Sequence, residues 1–224
     1  MRYQAYIFDL DGTLLDTLAD LAASVNYALR NCAMPERTID EVRCFVGNGV
    51  RLLMERAVPC GTANPLFDEA FDAFRRHYSQ HSMDTTRPYE GIPEALSQLR
   101  RQGCHVAVVS NKMMAVTQQL CRHFFADTVE VAIGEDEAAG IRKKPAPDSV
   151  FAAARALGIA RPAEGWDRHD APVVYVGDSD VDIETARNAG LPCISVAWGF
   201  RDADFLKAHG ATTIIQSPDF LCNI

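Results

Sequence analysis

The sequence predicts an α/β fold: a parallel sheet covered by helices on both faces, with an all-helical segment inserted after the first strand. Three features carry this expectation. Beyond Pro88, short runs of near-continuous apolar residues alternate with helix-period segments, the pattern of strands buried on both faces. A strand-like run at Tyr3 to Phe8 stands alone at the amino end, so its partners must lie far along the chain. Residues 16–84 between them show helical periodicity throughout.

Taken in order, Tyr3 to Phe8 is aromatic and β-branched and stops at an acidic, glycine-containing loop, Asp9-Leu10-Asp11-Gly12-Thr13. From Asp16 the period turns helical: Leu18, Leu21, Ala22, Val25, Ala28 and Leu29 recur on one face, with Asp16 or Thr17 as capping residue. Glu41 to Phe45, Val50 to Val58 behind Gly47-Asn48-Gly49, and Pro65 to His81 are further helices. After Pro88, helices are expected at Glu94 to Arg101, Met113 to Phe124, Pro147 to Leu157, Ile183 to Ala189 and Phe205 to Ala208. Strands are expected at His105 to Val109, Val129 to Ile133, Val173 to Val176, Cys193 to Val196 and Thr212 to Ile215. The simplest organisation is a discontinuous Rossmann-like core, residues 1–15 and 88–224, with residues 16–87 as the helical insertion.

Composition bounds the function. Of 224 residues, 48% are hydrophobic and 23% charged, enough to build a core. Lys plus Arg is 22 and Asp plus Glu is 30, a net charge of −8 that argues against nucleic acid and anionic membranes as partners. Seven cysteines, odd in number and with no C-x-x-C pair, fit neither a disulfide framework nor a zinc site, so most are expected to be buried reduced thiols. No apolar stretch approaches the roughly 18 residues of a membrane span, and the short run before Asp9 is too brief for a signal peptide. A cytoplasmic protein is expected.

In an open parallel sheet, ligands bind at the carboxyl ends of the strands. The polar residues there are Asp9 and Asp11, then Ser110 and Asn111, then Asp178, Asp180 and Asp182 behind Gly177. Lys144, in Lys143-Lys144-Pro145, adds a cation before another helix. Capping accounts for several of these: Ser110, Asn111 and Ser179 all suit helix starts, and Ser179 to Asp182 has nearly the spacing of a capping box. It does not account for Asp9-Leu10-Asp11-Gly12. Two carboxylates crowded behind a buried strand repel unless a cation or proton separates them. Mg²⁺ fits that role, because it takes oxygens from one or two carboxylates and from phosphate.

Asp9-Leu10-Asp11-Gly12-Thr13-Leu14 resembles the D-x-D-G-T signature of the haloacid dehalogenase-like superfamily. Ser110, Lys144-Pro145 and Gly177-Asp178 followed by Asp182 are similar to its other three motifs, in order. Through Leu15-Asp16-Thr17, Phe45 to Leu53 and Asp182 to Gly190, the chain most resembles the phosphoglycolate phosphatases. The resemblance implies that Asp9 is the nucleophile that forms an aspartyl-phosphate and Asp11 the general acid and base. It implies Mg²⁺ held by Asp9, the Asp11 backbone carbonyl and Asp178, with Asp182 supporting the metal waters or Lys144. Ser110 and the Asn111 backbone N–H, at a helix start, would bind the phosphoryl oxygens, and Lys144 would neutralise charge and keep Asp9 ionised. Lys143 is the alternative lysine, set aside because the motif places lysine directly before proline.

The implied enzyme is a Mg²⁺-dependent phosphatase of a small phosphorylated metabolite, 2-phosphoglycolate before others, acting as a monomer or homodimer. A β-phosphoglucomutase-like mutase and a pyrophosphatase or nucleotidase share the motifs. Phosphonoacetaldehyde hydrolase chemistry needs a lysine in the helical cap, and residues 16–84 contain none. In that cap, Gly47-Asn48-Gly49 with Arg51 or Arg43 could face a substrate carboxylate. His77 and His81 read as a solvated helix face, and Phe67, Phe71 and Phe74 as core packing.

Overall fold

The computed structural model describes residues 3–223; positions 1, 2 and 224, the ends of the expected core, lie outside the described residues. By its internal contacts the chain divides into two units, one comprising residues up to Leu15 and from Pro88 onward, the other Asp16–Arg87. The two-residue strands β2 (Leu15–Asp16) and β3 (Arg87–Pro88) lie where the chain passes between them.

The first unit is built on a six-stranded parallel sheet. Its strands are β1 (Ala5–Phe8), β4 (His105–Met113), β5 (Val131–Glu135), β6 (Val173–Gly177), β7 (Cys193–Val196) and β8 (Ile214–Ile215), in the order β5-β4-β1-β6-β7-β8. Every residue of β1 is buried because β4 and β6 flank it in register, Ala5 opposite both His105 and Val173. A strand covered on both faces needs no polar alternation, hence the unbroken Ala5-Tyr6-Ile7-Phe8. Helices α5 (Ile92–Arg101), α6 (Met114–Phe124), α7 (Asp148–Ala156), α8 (Asp180–Ala189) and α9 (Ala203–Ala208) supply the crossovers. Strand order reverses at β1, with β4 on one side and β6 on the other, so three adjacent carboxyl ends surround one crevice.

The second unit is helical: α1 (Leu18–Asn31), α2 (Ile39–Phe45), α3 (Val50–Ala57) and α4 (Phe67–His81). Leu21, Val25, Ala28 and Leu29 of α1 and Ala70, Ala73, Phe74 and Tyr78 of α4 are its buried stripes. Asp16 accepts from the Leu18 N–H at 3.3 Å, while Thr17 makes no side-chain cap bond. Thr38 and Glu41 form a reciprocal capping box at α2. Asp20, buried in the first turn of α1, accepts from the N–H and hydroxyl groups of both Thr85 and Thr86 at 2.6–3.1 Å, tying the last residues of the unit to its first helix.

Candidate active site

Phe8 is the last residue of β1, and the Asp9 N–H donates to the Val176 carbonyl of β6 at 2.8 Å. That bond carries the chain to the sheet edge and delivers a buried carboxylate there. The following turn is tight: the N–H groups of Thr13, Leu14 and Leu15 all point at the Leu10 carbonyl. Gly12 has φ +84°, and a Cβ at that position would run into the Asp178 carboxylate, so only glycine lets this loop approach β6 so closely. Asp178 is in turn gripped at both oxygens. Thr13 Oγ1 donates to Oδ1 at 3.3 Å and the Phe200 N–H to Oδ2 at 2.7 Å, while the Trp198 indole donates to the Thr13 carbonyl at 3.0 Å.

Lys144 is the hub. Its side chain is 3% exposed, and Nζ donates to Asp9 Oδ1 at 2.6 Å, Asp182 Oδ1 at 2.9 Å and the Tyr175 hydroxyl at 3.1 Å. Lys143 turns elsewhere, to Glu135 and Glu137 at 3.5 and 3.8 Å. Asp182 uses both oxygens: Oδ1 accepts from Lys144 and from Tyr175 at 2.9 Å, and Oδ2 accepts from the Ser179 N–H at 3.1 Å and hydroxyl at 2.6 Å. It therefore caps α8 and anchors Lys144 at once, and of the two supporting tasks expected of it the geometry favours the lysine. Gly177 makes this possible, since a Cβ there would overlap the Asp182 carboxyl.

One expectation is corrected. Ser110 and Asn111 were expected at a helix start, but β4 runs on to Met113 and α6 begins at Met114. Ser110 and Asn111 are buried at the strand's end, where the register with β5 shifts between Val109 and Met113. The strand persists through polar residues because each side chain there has a partner. Ser110 Oγ accepts from the Lys112 N–H at 3.3 Å, and the Asn111 carboxamide pairs with the Lys144 N–H and carbonyl at 2.8 and 3.0 Å. Lys112, 2% exposed at its side chain, places Nζ 3.1 Å from Asp11 Oδ1.

Lys112, Tyr175, Trp198 and Phe200 are thus site residues that sequence reasoning missed. Tyr175 left a signal, a lone polar-tipped residue within an apolar strand; Lys112, at the end of the polar run Ser110-Asn111-Lys112, and Phe200, which acts through its backbone, left none.

Four carboxylates, Asp9, Asp11, Asp178 and Asp182, meet two buried ammonium groups, Lys112 and Lys144, leaving a formal charge of −2 that one divalent cation would balance. Carboxylate oxygens of Asp9, Asp178 and Asp182 lie within 4.8 Å of one another. Burial pushes the Asp9 carboxyl up to about 7, with Lys144 pulling against it and Asp182 and Asp11 adding to it. Burial likewise drives Asp178 well upward, reinforced by Asp182 and Asp9. Two carboxylates this reluctant to ionise side by side are what a bound cation relieves. With Asp182 saturated by its own hydrogen bonds, Asp9 and Asp178 are the residues whose chemistry fits Mg²⁺.

In the helical unit, Arg51 lies over the rings of Phe67 and Phe71 at 5.1 and 5.5 Å, and Arg43 sits 3.6 Å from Asp40. Arg56 orders the loop before α3, donating to the Phe45 carbonyl and to Asn48 Oδ1. His77 is not simply solvated: its ring stacks between Tyr27 and His81 and Nδ1 meets Ser24 Oγ at 2.9 Å. Phe67 and Phe74 are buried, Phe71 only partly. The expectation that most cysteines are buried is corrected: Cys32, Cys104 and Cys121 are buried, Cys193 and Cys222 half-buried, and Cys44 and Cys60 exposed, and none forms a disulfide.

A parallel sheet that gathers four carboxylates and two lysines at its switch point has the charges that phosphate-ester chemistry uses. Residues 6–196 match the family of haloacid dehalogenase-like hydrolases, and the chain belongs to it. N-acetylmuramic acid 6-phosphate phosphatase of Pseudomonas aeruginosa is 30% identical over 227 residues, covering 100% of this chain and 95% of that protein. Phosphoglycolate phosphatase of Cereibacter sphaeroides is 33% identical over 210 residues, covering 91% and 90%. A crystal structure from Lactobacillus delbrueckii subsp. bulgaricus is similar with a TM-score of 0.89 at 34% identity, covering 100% of this chain and 98% of that one. The chain is a phosphoglycolate phosphatase-like phosphoric monoester hydrolase. Among the described residues, no helix is long and apolar enough to cross a membrane.

Proposed function

We propose that the protein is a Mg²⁺-dependent phosphatase that hydrolyses a small anionic phosphate monoester in the cytoplasm, 2-phosphoglycolate first, through an aspartyl-phosphate on Asp9. The helical unit, residues 16–87, would serve as the cap. The observation that carries this reading is the Lys144 ammonium held between Asp9 and Asp182 beside Asp178. Lys144 and Tyr175 occupy Asp9 Oδ1 and Asp182 Oδ1, and Asp9 Oδ2 accepts no hydrogen bond from the described residues. Oδ2 is therefore the oxygen to attack phosphorus.

As the O–P bond forms, the bond to the leaving oxygen breaks and Asp11 delivers a proton to it. Asp11 then takes a proton from the water that attacks the phosphorus of the aspartyl-phosphate, which regenerates Asp9. Ser110 orients a phosphoryl oxygen, and Lys144 balances charge at Asp9 throughout. Mg²⁺ on Asp9, the Asp11 carbonyl and Asp178 would supply charge neutralisation for the phosphoryl oxygens.

The test is phosphate release with Mg²⁺ from a panel containing 2-phosphoglycolate, N-acetylmuramic acid 6-phosphate, a nucleoside monophosphate and pyrophosphate, with β-glucose 1-phosphate isomerisation measured alongside. Asp9→Asn should abolish turnover while the protein stays folded; Mg²⁺-dependent hydrolysis retained by that variant would refute the assignment.

A further inference from the structure

Lys144 lies in a turn, outside helix and strand, and its side chain has four rotatable bonds. A group so placed contributes to phosphoryl transfer only if something else fixes it before substrate arrives. The structure holds it at both ends. At the ammonium, three N–H donors meet three acceptors: Asp9 Oδ1, Asp182 Oδ1 and the Tyr175 hydroxyl. The Tyr175 hydroxyl is itself oriented, because it donates to Asp182 Oδ1 at 2.9 Å and so turns a lone pair toward Lys144. At the backbone, the Asn111 carboxamide makes two hydrogen bonds to the Lys144 peptide groups, donating to the carbonyl at 3.0 Å and accepting from the N–H at 2.8 Å. Asn188 adds a donor to the Pro145 carbonyl at 2.9 Å.

Neither residue is needed there for packing alone. Tyr175 sits in β6 among Val173, Val174 and Val176, all wholly buried, where a phenylalanine ring would fill the same space. Asn111 is 7% exposed in β4, beside the strand that ends at Phe8, just before Asp9, and its amide does for the Lys144 turn what a neighbouring strand would do.

We propose that Asn111 and Tyr175 are positioning residues for Lys144: Asn111 fixes its backbone and Tyr175 its ammonium, so that the lysine is set against Asp9 before the substrate binds. The inference rests on the reading that Lys144 serves phosphoryl transfer, and it gives the Asn111 side chain a task separate from the phosphate contact of its backbone N–H.

The experiment compares wild type, Lys144→Ala, Tyr175→Phe and Asn111→Ala on p-nitrophenyl phosphate and 2-phosphoglycolate with Mg²⁺, together with the Ki for inorganic phosphate and the thermal melt of each. Tyr175→Phe and Asn111→Ala should each lower kcat about tenfold to a hundredfold, the range of a sub-ångström to one-ångström misplacement. KM and the phosphate Ki should stay within about threefold, because the Asn111 N–H and Ser110 remain. Asn111→Asp, which keeps the acceptor for the Lys144 N–H and loses the donor, should fall between; it replaces Asn111→Ala if that variant does not melt cooperatively. A kcat within twofold of wild type in folded Tyr175→Phe and Asn111→Ala overturns the proposal, as does a phosphate Ki that rises in step with the loss of kcat at Asn111. If wild type releases no phosphate, or Lys144→Ala keeps its rate, it is the underlying phosphatase reading that fails.

Discussion

Asp182→Asn is the sharpest probe of the site's electrostatics. Asp182 is wholly buried and accepts four hydrogen bonds, two at each oxygen. A neutral amide preserves size but removes the charge, leaving the buried Lys144 ammonium with Asp9 alone as counter-charge. Breaking a buried pair on one side costs about 3–5 kcal/mol. The amide cannot recover this. If its oxygen faces Lys144 and Tyr175, its NH₂ faces the Ser179 N–H, donor against donor; the flipped amide places NH₂ against the ammonium. For a chain of this length, 1 kcal/mol shifts Tm by roughly 2–4 °C, so a loss of roughly 6–20 °C is expected by calorimetry. Phosphate release should fall by an order of magnitude or more, because Lys144 loses one of its fixed acceptors. A variant melting within about 2 °C of wild type with kcat within twofold would show that the Lys144–Asp182 contact carries neither stability nor activity, and the positioning argument built on it would fall.

In the helical unit, Asp20→Asn should cost about 2 kcal/mol or more at neutral pH, read by urea denaturation, because charge-assisted bonds to Thr85 and Thr86 become neutral and the amide NH₂ opposes a backbone donor. Burial opposes ionisation of Asp20, but the bonds from Thr85 and Thr86 outweigh it and hold its carboxyl below the usual carboxylate range. Its stabilisation is then fully present above about pH 4 and is lost as the pH falls through the lower folded value. Wild type and Asp20→Asn should differ most near neutrality and draw together as the pH falls through the acid range; a difference that does not shrink on acidification would contradict this. Lys144→Ala should lose nearly all phosphatase activity while Lys143→Ala, whose ammonium faces Glu135 and Glu137, keeps it within a few-fold; the reverse order in phosphate-release assays would reassign the lysine. Gly12→Ala combines an unfavourable φ of +84° with overlap on Asp178, and should weaken Mg²⁺ binding by calorimetric titration more than it lowers Tm; unchanged affinity would separate the loop from the metal site.

What the sequence made legible follows a physical division. Strand β1 and its acidic loop could be read because a doubly covered strand is uniformly apolar and two aspartates behind it have no packing role. The chain order of Asp9, Ser110, Lys144 and Asp178 was legible through resemblance. Their contacts were not, because the strand order β4-β1-β6 and the Asn111 side chain bring Asp9 and Lys144 to within 2.6 Å from positions 135 residues apart. The expected end of β4 at Val109 failed for a related reason. Ser110-Asn111-Lys112 has the composition of a turn, and it stays in the strand because each side chain finds a partner, two of them far along the chain. Helix α8 begins at Asp180, three residues before its apolar period starts, since Ser179 and Asp182 cap it and acidic side chains favour a first turn. Lys112 was invisible in function because a lysine beside a predicted helix reads as solvated. Only the pairing of β1 with β4 brings it to Asp11.

The second buried lysine also changes how an acidic chain would take an acidic substrate. Both ammonium groups in the crevice are already committed, Lys144 to Asp9 and Asp182 and Lys112 to Asp11. Neither is a free charge that could draw phosphate in, and the six ionisable groups together leave −2. A phosphate dianion added to that would bring the formal count to −4 with all four carboxylates ionised, or hold Asp9 and Asp178, already raised by burial, in their protonated forms. On the proposed reading the electrostatics therefore sets an order. Asp9 and Asp178 would hold a divalent cation, whose charge would offset theirs before phosphate enters. The net charge of −8, which at long range opposes any anion, would on that reading be partly the local means of holding the cation that admits one.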